Sequence, residues 1–374
     1  MKYIFFIAAF NALFFAILIL QKKKAFHDKI LVCWLIYLGL YAGLYAMLSQ
    51  TLFTDYHLLS ASFVSLLMLH GPFMYLYISA LIEQKFKFNI KQLLHFAPFV
   101  LFNVFLIIAS RLPEISERIR LDHIDSEHGV PVLFNFFLIL TALSGPVYFI
   151  LSIVLFRKLD INIFNNFSTS ENINLDWLRK LVYSFGAIWT VLITFASIHH
   201  VFHFFSWIFC TDGLFLSLSF FIILIGYFGL KQKEIFIQYP GQNVEYITEP
   251  KTKYAGVLIT EKETESHAKK IALFMSSAKP YLDANLTLPQ LAIMLKIPVH
   301  HLSRVINEKF GINFFDFINR YRIDEVKSKI NNPQFDNLSL LGIAFDCGFN
   351  SKSAFNRVFK KMTGLTPSEY KKHS

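Results

Sequence analysis

The chain has 374 residues, of which 54% are hydrophobic and 17% aromatic, and its formal net charge at neutral pH is +10. This composition excludes an ordinary water-soluble globular protein and predicts that much of the surface faces lipid. The positive charge favours a polyanionic partner, which means nucleic acid or anionic lipid.

Long apolar runs separated by short polar breaks fill the chain from Lys2 to Leu230. Each run approaches the roughly 20 residues that a helix needs to cross a hydrocarbon core. The first run is interpreted as a retained span, because no small-residue cleavage site precedes the lysines at 22–24. The pattern predicts a seven-helix transmembrane bundle with spans near 3–20, 30–50, 58–82, 93–110, 132–156, 181–204 and 207–230.

Lysine and arginine are concentrated in alternate loops of this region. The loops 21–29, 83–92 and 157–180 carry four, three and four of them, whereas 51–57 and 205–212 carry none and 111–131 carries three. Because positively charged loops stay on the cytoplasmic side, the count places the N-terminus outside. Seven spans then place the C-terminus in the cytoplasm, so we predict a multi-pass protein of the inner (cell) membrane.

Two histidine features stand out within the predicted spans. His199, His200 and His203 lie at the predicted outer end of the sixth span, with His199 and His203 one helical turn apart. Such a group can contact a ligand, sense pH or bind a metal, but interfacial histidines bonded to neighbouring helices or water give the same pattern. We assign no metal site here and keep a sensory role and a structural role open. In the third span, His70 precedes Gly71-Pro72, which predicts a kink.

The residues offer no catalytic constellation. There is no phosphate-binding glycine loop, nucleophile elbow or HExxH pattern, so we predict that the chain is not an enzyme and uses no cofactor. The cysteines Cys33, Cys210 and Cys347 show neither zinc-site nor disulfide spacing. They are therefore predicted to be small buried residues.

Residues 231–265 are predicted to be a linker, because the stretch is charged and contains Pro240-Gly241 and Pro250. A helix is predicted from about Glu261 to Ala278, where apolar residues recur at helical spacing. The predicted domains are therefore a transmembrane region at 1–230, the linker at 231–265 and a cytoplasmic domain at 266–374.

The cytoplasmic domain begins with a helix, turn, helix pattern. Thr287 and Gln290 have the spacing of a capping box. The second helix of this unit has an apolar face and an outward polar face. The outward residues are His300, His301, Arg304 and Asn307.

The same plan recurs about fifty residues later. Ser339 is predicted to cap the first helix, Gly348 to supply the positive φ of the turn, and Asn350 to cap the second helix. Gly364 ends that helix and Pro367 begins a short final one. The outward, mostly basic face of the second helix of this unit comprises Ser351, Lys352, Ser353, Asn356, Arg357, Lys360 and Lys361.

Between the two units, the stretch FFDFINRYRIDEVKSKI has apolar residues at roughly helical spacing and predicts a connecting helix. The chain from Lys279 onward has fourteen Lys and Arg against eight Asp and Glu, a net charge of +6. The predicted fold class is therefore all-α, with a transmembrane bundle followed by two helix-turn-helix units joined by a connecting helix.

The stretch IAFDCGFNSKSAFNRVFKKMTGLTPSEY closely resembles the signature of AraC/XylS-type bacterial transcription regulators, and the likeness extends back to about Tyr281. It departs from the family at Lys296, where a turn glycine is usual, and at Pro298-Val299, which replaces a Ser-Pro helix start. The resemblance implies that two recognition helices enter successive major grooves, roughly 34 Å apart. The outward residues of both units would then contact bases or phosphates of promoter DNA.

These observations predict a membrane-embedded transcription regulator whose seven-helix sensor changes promoter binding. Its expected partners are promoter DNA, the bilayer and an unidentified signal ligand, with a second copy of the chain and RNA polymerase as further candidates. One alternative is a transporter or channel whose basic helical tail binds anionic lipid. Another is proteolytic release of the C-terminal part from the linker.

Overall fold

The computed structural model describes residues 2–22, 25–48, 56–83, 86, 88–119, 129–170, 175–202, 207–232 and 260–373, without the side chains of 48, 192–202 and 207–211. The regular secondary structure of these residues is helical, with one isolated antiparallel bridge between Phe167 and Thr287. The all-α prediction is confirmed.

The N-terminal part is a series of apolar helices. Their exposed surfaces carry large hydrophobic side chains, among them Phe10, Ile107 and Val132. The α-helices are Lys2–Gln21, Phe26–Leu48, His57–Ser65, His70–Ile82, Ile90–Leu93, Ala97–Ala109, Pro113–Ser116, Val132–Asn166, Asp176–Phe202 and Trp207–Lys231, with 3₁₀ turns at Leu66–Leu69 and Leu94–Phe96.

Six helical segments in the described part of the chain are long and apolar enough to cross a membrane, judged by length and composition alone. They are Lys2–Gln21, Phe26–Met47, His57–Ile82, Ile90–Ala109, Val132–Asn166 and Asp212–Lys231. The predicted sixth span, 181–204, falls largely on the helix Asp176–Phe202, whose side chains from 192 onward are not described. The count of seven therefore stays a prediction.

Two of the predicted spans differ in detail from the structure. The third is interrupted by the 3₁₀ turn Leu66–Leu69, directly before His70, where the Gly71-Pro72 pair predicted a kink. The fifth was predicted to end at 156, but its helix continues to Asn166. The extension is stabilised because Leu159 and Ile163 are buried one helical turn apart.

Contact clustering divides the chain into two compact units. The apolar unit comprises Met1–Phe156 and Leu175–Ile235, and the C-terminal unit comprises Arg157–Asn174 and Phe236–Ser374. Nothing in the sequence indicated that residues 157–174 group with the C-terminal residues. The predicted boundaries at 230 and 265 stay predictions, because residues 233–259 lie outside the described part of the chain.

The apolar unit has an aromatic core. The rings of Tyr45 and Phe215 stack with centroids 3.7 Å apart, and Phe5 meets both edge-on. Cys33 is exposed on this unit, so its predicted burial is wrong. It lies among the outward positions of its helix, between the buried Val32 and Trp34. The side chain of Cys210 is not described.

The C-terminal unit contains two longer helices, Glu261–Ala278 and Phe314–Ile330, and we call the second of them the connecting helix. The predicted helix Glu261–Ala278 is present and begins with a capping box between Thr260 and Glu263. The remaining α-helices are Leu288–Leu295, Val299–Lys309, Leu340–Asp346, Lys352–Thr363 and Pro367–His373, with 3₁₀ turns at Pro280–Leu282 and Pro333–Phe335.

The connecting helix belongs to two hydrophobic cores. Phe314 and Phe317 pack into a first core with the helices Leu288–Leu295 and Val299–Lys309. Phe315 and Val326 pack into a second core with Leu340–Asp346 and Lys352–Thr363. Residues on different faces of one helix therefore join the two helix-turn-helix units.

The turn glycine of the second unit has little space around it. Gly348 has φ +88°, and a Cβ there would collide with the carbonyl oxygen of Tyr281 and lie 2.9 Å from Nε of Arg322. Gly364 ends the next helix with φ +80°, but a Cβ there would have nothing within 4 Å. The two glycines share a conformation and differ in packing. The structural turn roles predicted for Gly348, Gly364 and Pro367 agree with these positions.

This difference predicts the effects of two alanine substitutions. Gly364→Ala should lower the free energy of unfolding by about 1 kcal/mol, the usual cost of a left-handed conformation in a residue with a Cβ. Gly348→Ala should lower it by about 2–4 kcal/mol, because steric overlap is added. Both free-energy losses are measured by denaturing the full chain and monitoring the C-terminal unit by hydrogen exchange. Equal losses would contradict the packing argument.

Candidate DNA interface

The second helix-turn-helix unit forms as its local sequence requires. The hydroxyl of Ser339 accepts a hydrogen bond from the backbone N–H of Gly342 at 3.0 Å and caps the helix Leu340–Asp346. Cys347 follows and is fully buried, and burial raises the pKa of its thiol to about 11. Gly348 then turns the chain toward the helix Lys352–Thr363, which we call the second recognition helix.

The cap of this helix differs from the prediction. Ser351 occupies the N-cap position, and its hydroxyl accepts from the backbone N–H of Ala354 at 3.1 Å. Asn350, predicted as the cap, lies one residue too early to reach that amide. The Ser351 hydroxyl also lies 3.1 Å from that of Ser353, so its predicted DNA contact competes with local bonds.

The second recognition helix has one buried and one exposed face. Phe355, Val358 and Phe359 are buried in the second core, and Phe359 meets Tyr370 of the last helix edge-on. The opposite face is polar and basic. Its exposed residues are Lys352, Ser353, Asn356, Arg357, Lys360 and Lys361, as the sequence predicted.

The first unit repeats this geometry with a weaker turn and a weaker cap. The capping box between Thr287 and Gln290 is present, and Lys296 adopts the left-handed conformation at φ +52°. A lysine in that conformation costs about 1–2 kcal/mol. Pro298 stands at the N-cap of the helix Val299–Lys309, the first recognition helix, and provides no side-chain cap.

The predicted reading residues of the first recognition helix are less exposed than those of the second. His300 is exposed, whereas His301, Arg304 and Asn307 are half-buried. Arg304 pairs with Glu308 one turn later, at 2.9 Å between Nε and Oε1. The amide of Asn307 donates to the carbonyl oxygen of Ser303 at 2.9 Å.

His301 lies in a group of three imidazoles. Its ring centroid is 4.6 Å from that of His300 and 6.2 Å from that of His267. Burial, reinforced by these two neighbours, lowers the pKa of His301 below its usual value. The side chain is therefore uncharged at neutral pH, which suits hydrogen bonding to a base better than charge pairing with a phosphate.

Lys361 is oriented by the connecting helix. Its Nζ lies 2.6 Å from Oδ1 of Asp316, in the first turn of that helix. The lysine is 59% exposed, so its ammonium group faces solvent while it is paired. Among the described residues, no group of three His, Cys, Asp or Glu side chains is arranged to hold a metal ion.

Arg322 of the connecting helix is a buried cation. It is 1% exposed, and its guanidinium donates to the carbonyl oxygens of Tyr281 and Asp283, both at 2.7 Å. It also lies 5.9 Å from the ring centroid of Phe349, in the turn of the second unit. Burial lowers the pKa of Arg322 to about 10, so it is still charged at neutral pH.

A third partner of Arg322 comes from residues 164–170, which we call the docking segment. The hydroxyl of Ser168 accepts from Nη2 of Arg322 at 3.0 Å, and its carbonyl oxygen accepts from Nη1 at 3.1 Å. The same carbonyl accepts from the amide of Asn319, and the N–H of Ser168 donates to the carbonyl of Leu286. Ser168 is consequently fully buried and satisfied through both its backbone groups and its hydroxyl.

The docking segment also reaches the second recognition helix. The hydroxyl of Ser170 accepts from Nη2 of Arg357 at 3.0 Å, and Nδ2 of Asn350 donates to the hydroxyl of Thr169 at 3.4 Å. Arg357, one of the predicted base-reading residues, is thus hydrogen-bonded to the docking segment.

Sequence reasoning did not identify Arg322, Asn319 or the docking segment. An arginine among the apolar positions of FFDFINRYRIDEVKSKI was the available signal for Arg322, because a charged residue on a buried helical face needs partners. No local signal marked Ser168, whose role depends on residues more than 150 positions away. The histidines His199, His200 and His203 lie outside the described side chains.

Comparisons with known proteins agree with this geometry. A family model described as a helix-turn-helix domain matches residues 291–373. An uncharacterized HTH-type transcriptional regulator of Staphylococcus aureus (strain COL) is 31% identical over 87 residues, and the regulator YtdP of Bacillus subtilis (strain 168) is 28% identical over 89 residues. These matches cover 23% and 24% of this chain and only 11% of each relative.

No solved structure matches the chain significantly. The matched residues contain both recognition helices, the connecting helix and the turn glycine, and they exclude the apolar helices. Two helix-turn-helix units joined by one helix are the arrangement that the sequence signature implied. Residues 291–373 therefore form a helix-turn-helix domain of the AraC type.

Proposed function

We propose that the chain is a membrane-embedded, sequence-specific DNA-binding transcription regulator that couples a signal at the membrane or outer face to promoter binding. The observation that carries the proposal is the presence in one chain of an AraC-type helix-turn-helix domain and six helices with the length and composition of membrane spans. The regulator names of the relatives agree with the DNA-binding part of this proposal.

Exposed apolar side chains support membrane embedding. Val132 is 86% exposed, Phe10 68% and Ile107 64%, all on long apolar helices. Exposing apolar area to water costs roughly 25 cal/mol per Å², so a surface of this kind is unfavourable in water and favourable in lipid. The distribution of Lys and Arg among the loops supports an N-terminus outside and a DNA-binding domain in the cytoplasm.

The exposed side chains of the recognition helices would make the DNA contacts. Arginine pairs with guanine, asparagine pairs with adenine, and lysine contacts phosphates. Arg304 is available for this role despite its pair with Glu308, because surface pairs four residues apart contribute only about 0.3–0.5 kcal/mol. We assign Arg304, Asn356 and Arg357 to base reading, and Lys360 and Lys361 to phosphates.

The docking segment offers a route for coupling. It begins at the end of the helix Val132–Asn166, most of which has the composition of a membrane span, and its Ser170 accepts a hydrogen bond from Arg357. A shift of the segment would release Arg357 and remove one set of partners from Arg322. DNA and the docking segment would thus compete for the same arginine, and a coupling of 1–3 kcal/mol changes affinity about 5- to 150-fold.

The base-reading assignment predicts different effects for two alanine variants. Arg304→Ala should weaken binding to the preferred sequence by about 1–3 kcal/mol and change random-sequence binding much less. Lys361→Ala should weaken both alike, because a phosphate contact carries no sequence information. Anisotropy titrations of the full chain, with a duplex selected from a random pool and a scrambled duplex, measure this. The assignment is wrong if the ratio of affinities for the selected and the scrambled duplex is the same in the two variants.

The membrane assignment predicts a one-sided labelling result. A cysteine-reactive, membrane-impermeant reagent applied to intact cells should label a cysteine introduced at Tyr3→Cys but not one at Ser368→Cys, in a background without the native cysteines. After cell lysis both should react. Labelling of the C-terminal position in intact cells would exclude a cytoplasmic DNA-binding domain.

The coupling route predicts that disrupting the docking segment increases DNA binding. Ser168→Leu should prevent docking, because the buried site has no room for the larger side chain and the bonds of its hydroxyl are lost. The full chain in lipid nanodiscs should then bind its preferred duplex about fivefold more tightly or better. Ser277→Leu, at an exposed position of the same unit, is the matched control and should change nothing. Unchanged or weaker DNA binding by Ser168→Leu would contradict the competition between DNA and the docking segment for Arg357.

A further inference from the structure

The apolar unit contains a cavity of about 290 Å³. Its walls come from Trp34, the segment around the 3₁₀ turn at Leu66–Leu69, and the helices Val132–Asn166 and Asp176–Phe202. Ligand sites commonly have volumes from roughly 300 Å³ upward, and a dry cavity of about 150 Å³ accommodates one benzene ring. This cavity therefore has room for a molecule of about two rings.

The walls are apolar and uncharged. Fourteen described residues line the cavity, and none of them is Asp, Glu, Lys or Arg. Aromatic and aliphatic side chains such as Phe149, Phe185 and Val182 form most of the surface. A charged ligand would lose its hydration without gaining an ionic partner from these residues, so the walls favour a neutral, mostly apolar molecule.

Three residues that line the cavity each have a buried polar atom without a hydrogen-bond partner among the described residues. The atoms are Nε1 of Trp34, Nε1 of Trp189 and Nδ1 of His70. All three residues are more than nine-tenths buried, at 2%, 7% and 5% exposure. An indole N–H can only donate, so both tryptophans require an acceptor atom. Buried donors are rarely left unpaired in proteins, which points to a ligand that carries the acceptor.

Close packing holds one of these donors in place. Gly145 lies directly against the indole of Trp189, and a Cβ at residue 145 would collide with its Nε1. Gly71 and Gly186 are packed in the same way against Tyr148 and Phe149. The glycines thus let the aromatic walls approach the helices closely, which restricts the orientation of the Trp189 N–H.

The cavity reaches the surface of the unit on one side. Ile150 is 60% exposed and Thr190 is also exposed, yet both line the cavity. Ile150 lies on one of the helices with the composition of a membrane span. Under the proposed function this side faces lipid, so a molecule that partitions into the bilayer would have access to the cavity.

We propose that this cavity binds a small, neutral, largely apolar molecule whose carbonyl or similar oxygen accepts hydrogen bonds from Trp34 and Trp189. The idea that this ligand is the signal of a regulator rests on the proposed function. The existence of the binding site does not. The cavity borders the helix break before His70-Gly71-Pro72, where Pro72 lacks the N–H that would continue the helix. Ligand binding there would act where a 3₁₀ turn interrupts the α-helix.

Benzophenone is a suitable probe, because it has two rings and one carbonyl acceptor. Diphenylmethane has nearly the same shape without the acceptor. Radiolabelled benzophenone is equilibrated with the full chain in lipid nanodiscs, and nanodiscs without protein correct for partition into lipid. Saturable binding is expected, with unlabelled benzophenone displacing the label about three- to tenfold better than diphenylmethane, the effect of about one hydrogen bond.

Three variants test the assigned donors. Trp189→Phe and Trp34→Phe each remove an indole N–H while keeping an aromatic ring, and each should weaken benzophenone binding about three- to tenfold. Trp177→Phe is the matched control. The indole N–H of Trp177 donates to Oε1 of Gln232 at 3.0 Å, and Trp177 does not line the cavity. It should leave binding unchanged.

The proposal is overturned by any of three results: no saturable binding above empty nanodiscs, equal displacement by the two competitors, or an equal loss in Trp177→Phe and Trp189→Phe. This assay contains no DNA, and the DNA titrations contain no benzophenone. Failure of the ligand site is thereby distinguishable from failure of the proposed regulatory function.

Discussion

The arrangement of the C-terminal unit depends on one buried cation, Arg322. Transferring a guanidinium from water into a protein interior costs several kcal/mol unless its N–H groups find acceptors. Here the acceptors are backbone carbonyls of Tyr281, Asp283 and Ser168, which come from different parts of the chain. Because each acceptor lowers the cost of burying the charge, the cation favours the arrangement in which these segments lie against the connecting helix.

The position of Arg322 explains the tight turn of the second unit. Gly348 and Phe349 pack against the guanidinium and against the carbonyl of Tyr281. The turn of the second unit is thus in contact with the chain that leads into the first. Together with the two hydrophobic cores on the connecting helix, this contact restricts the relative movement of the recognition helices. Two such helices must keep a constant separation if they are to read successive grooves of DNA.

The apolar unit follows the opposite physical rule. Its outer surface carries large hydrophobic side chains, while buried polar atoms of Trp34, His70 and Trp189 have no partner among the residues that the structure describes. In the C-terminal unit the buried guanidinium of Arg322 is satisfied by backbone carbonyls, whereas in the apolar unit these three residues line a cavity. Under the proposal for this cavity, the acceptor for its tryptophan N–H groups comes from a bound molecule.

Local sequence was sufficient for the features that depend on a few neighbouring residues. The caps at Thr287 and Ser339, the positive φ of Gly348 and the exposed face of the second recognition helix all follow from side-chain chemistry within one or two turns. The cap at Ser351 was misassigned by one residue, because Asn350 and Ser351 are both good caps and only backbone geometry distinguishes them.

Tertiary structure alone decided which distant residues meet. Arg322 bonds to Ser168 across 154 positions and to the carbonyls of Tyr281 and Asp283 across 41 and 39. Ser170 bonds to Arg357 across 187 positions. The cavity likewise needs helices from separate parts of the chain. A one-dimensional pattern shows that a residue will be buried, but the identity of its partner depends on how the helices pack.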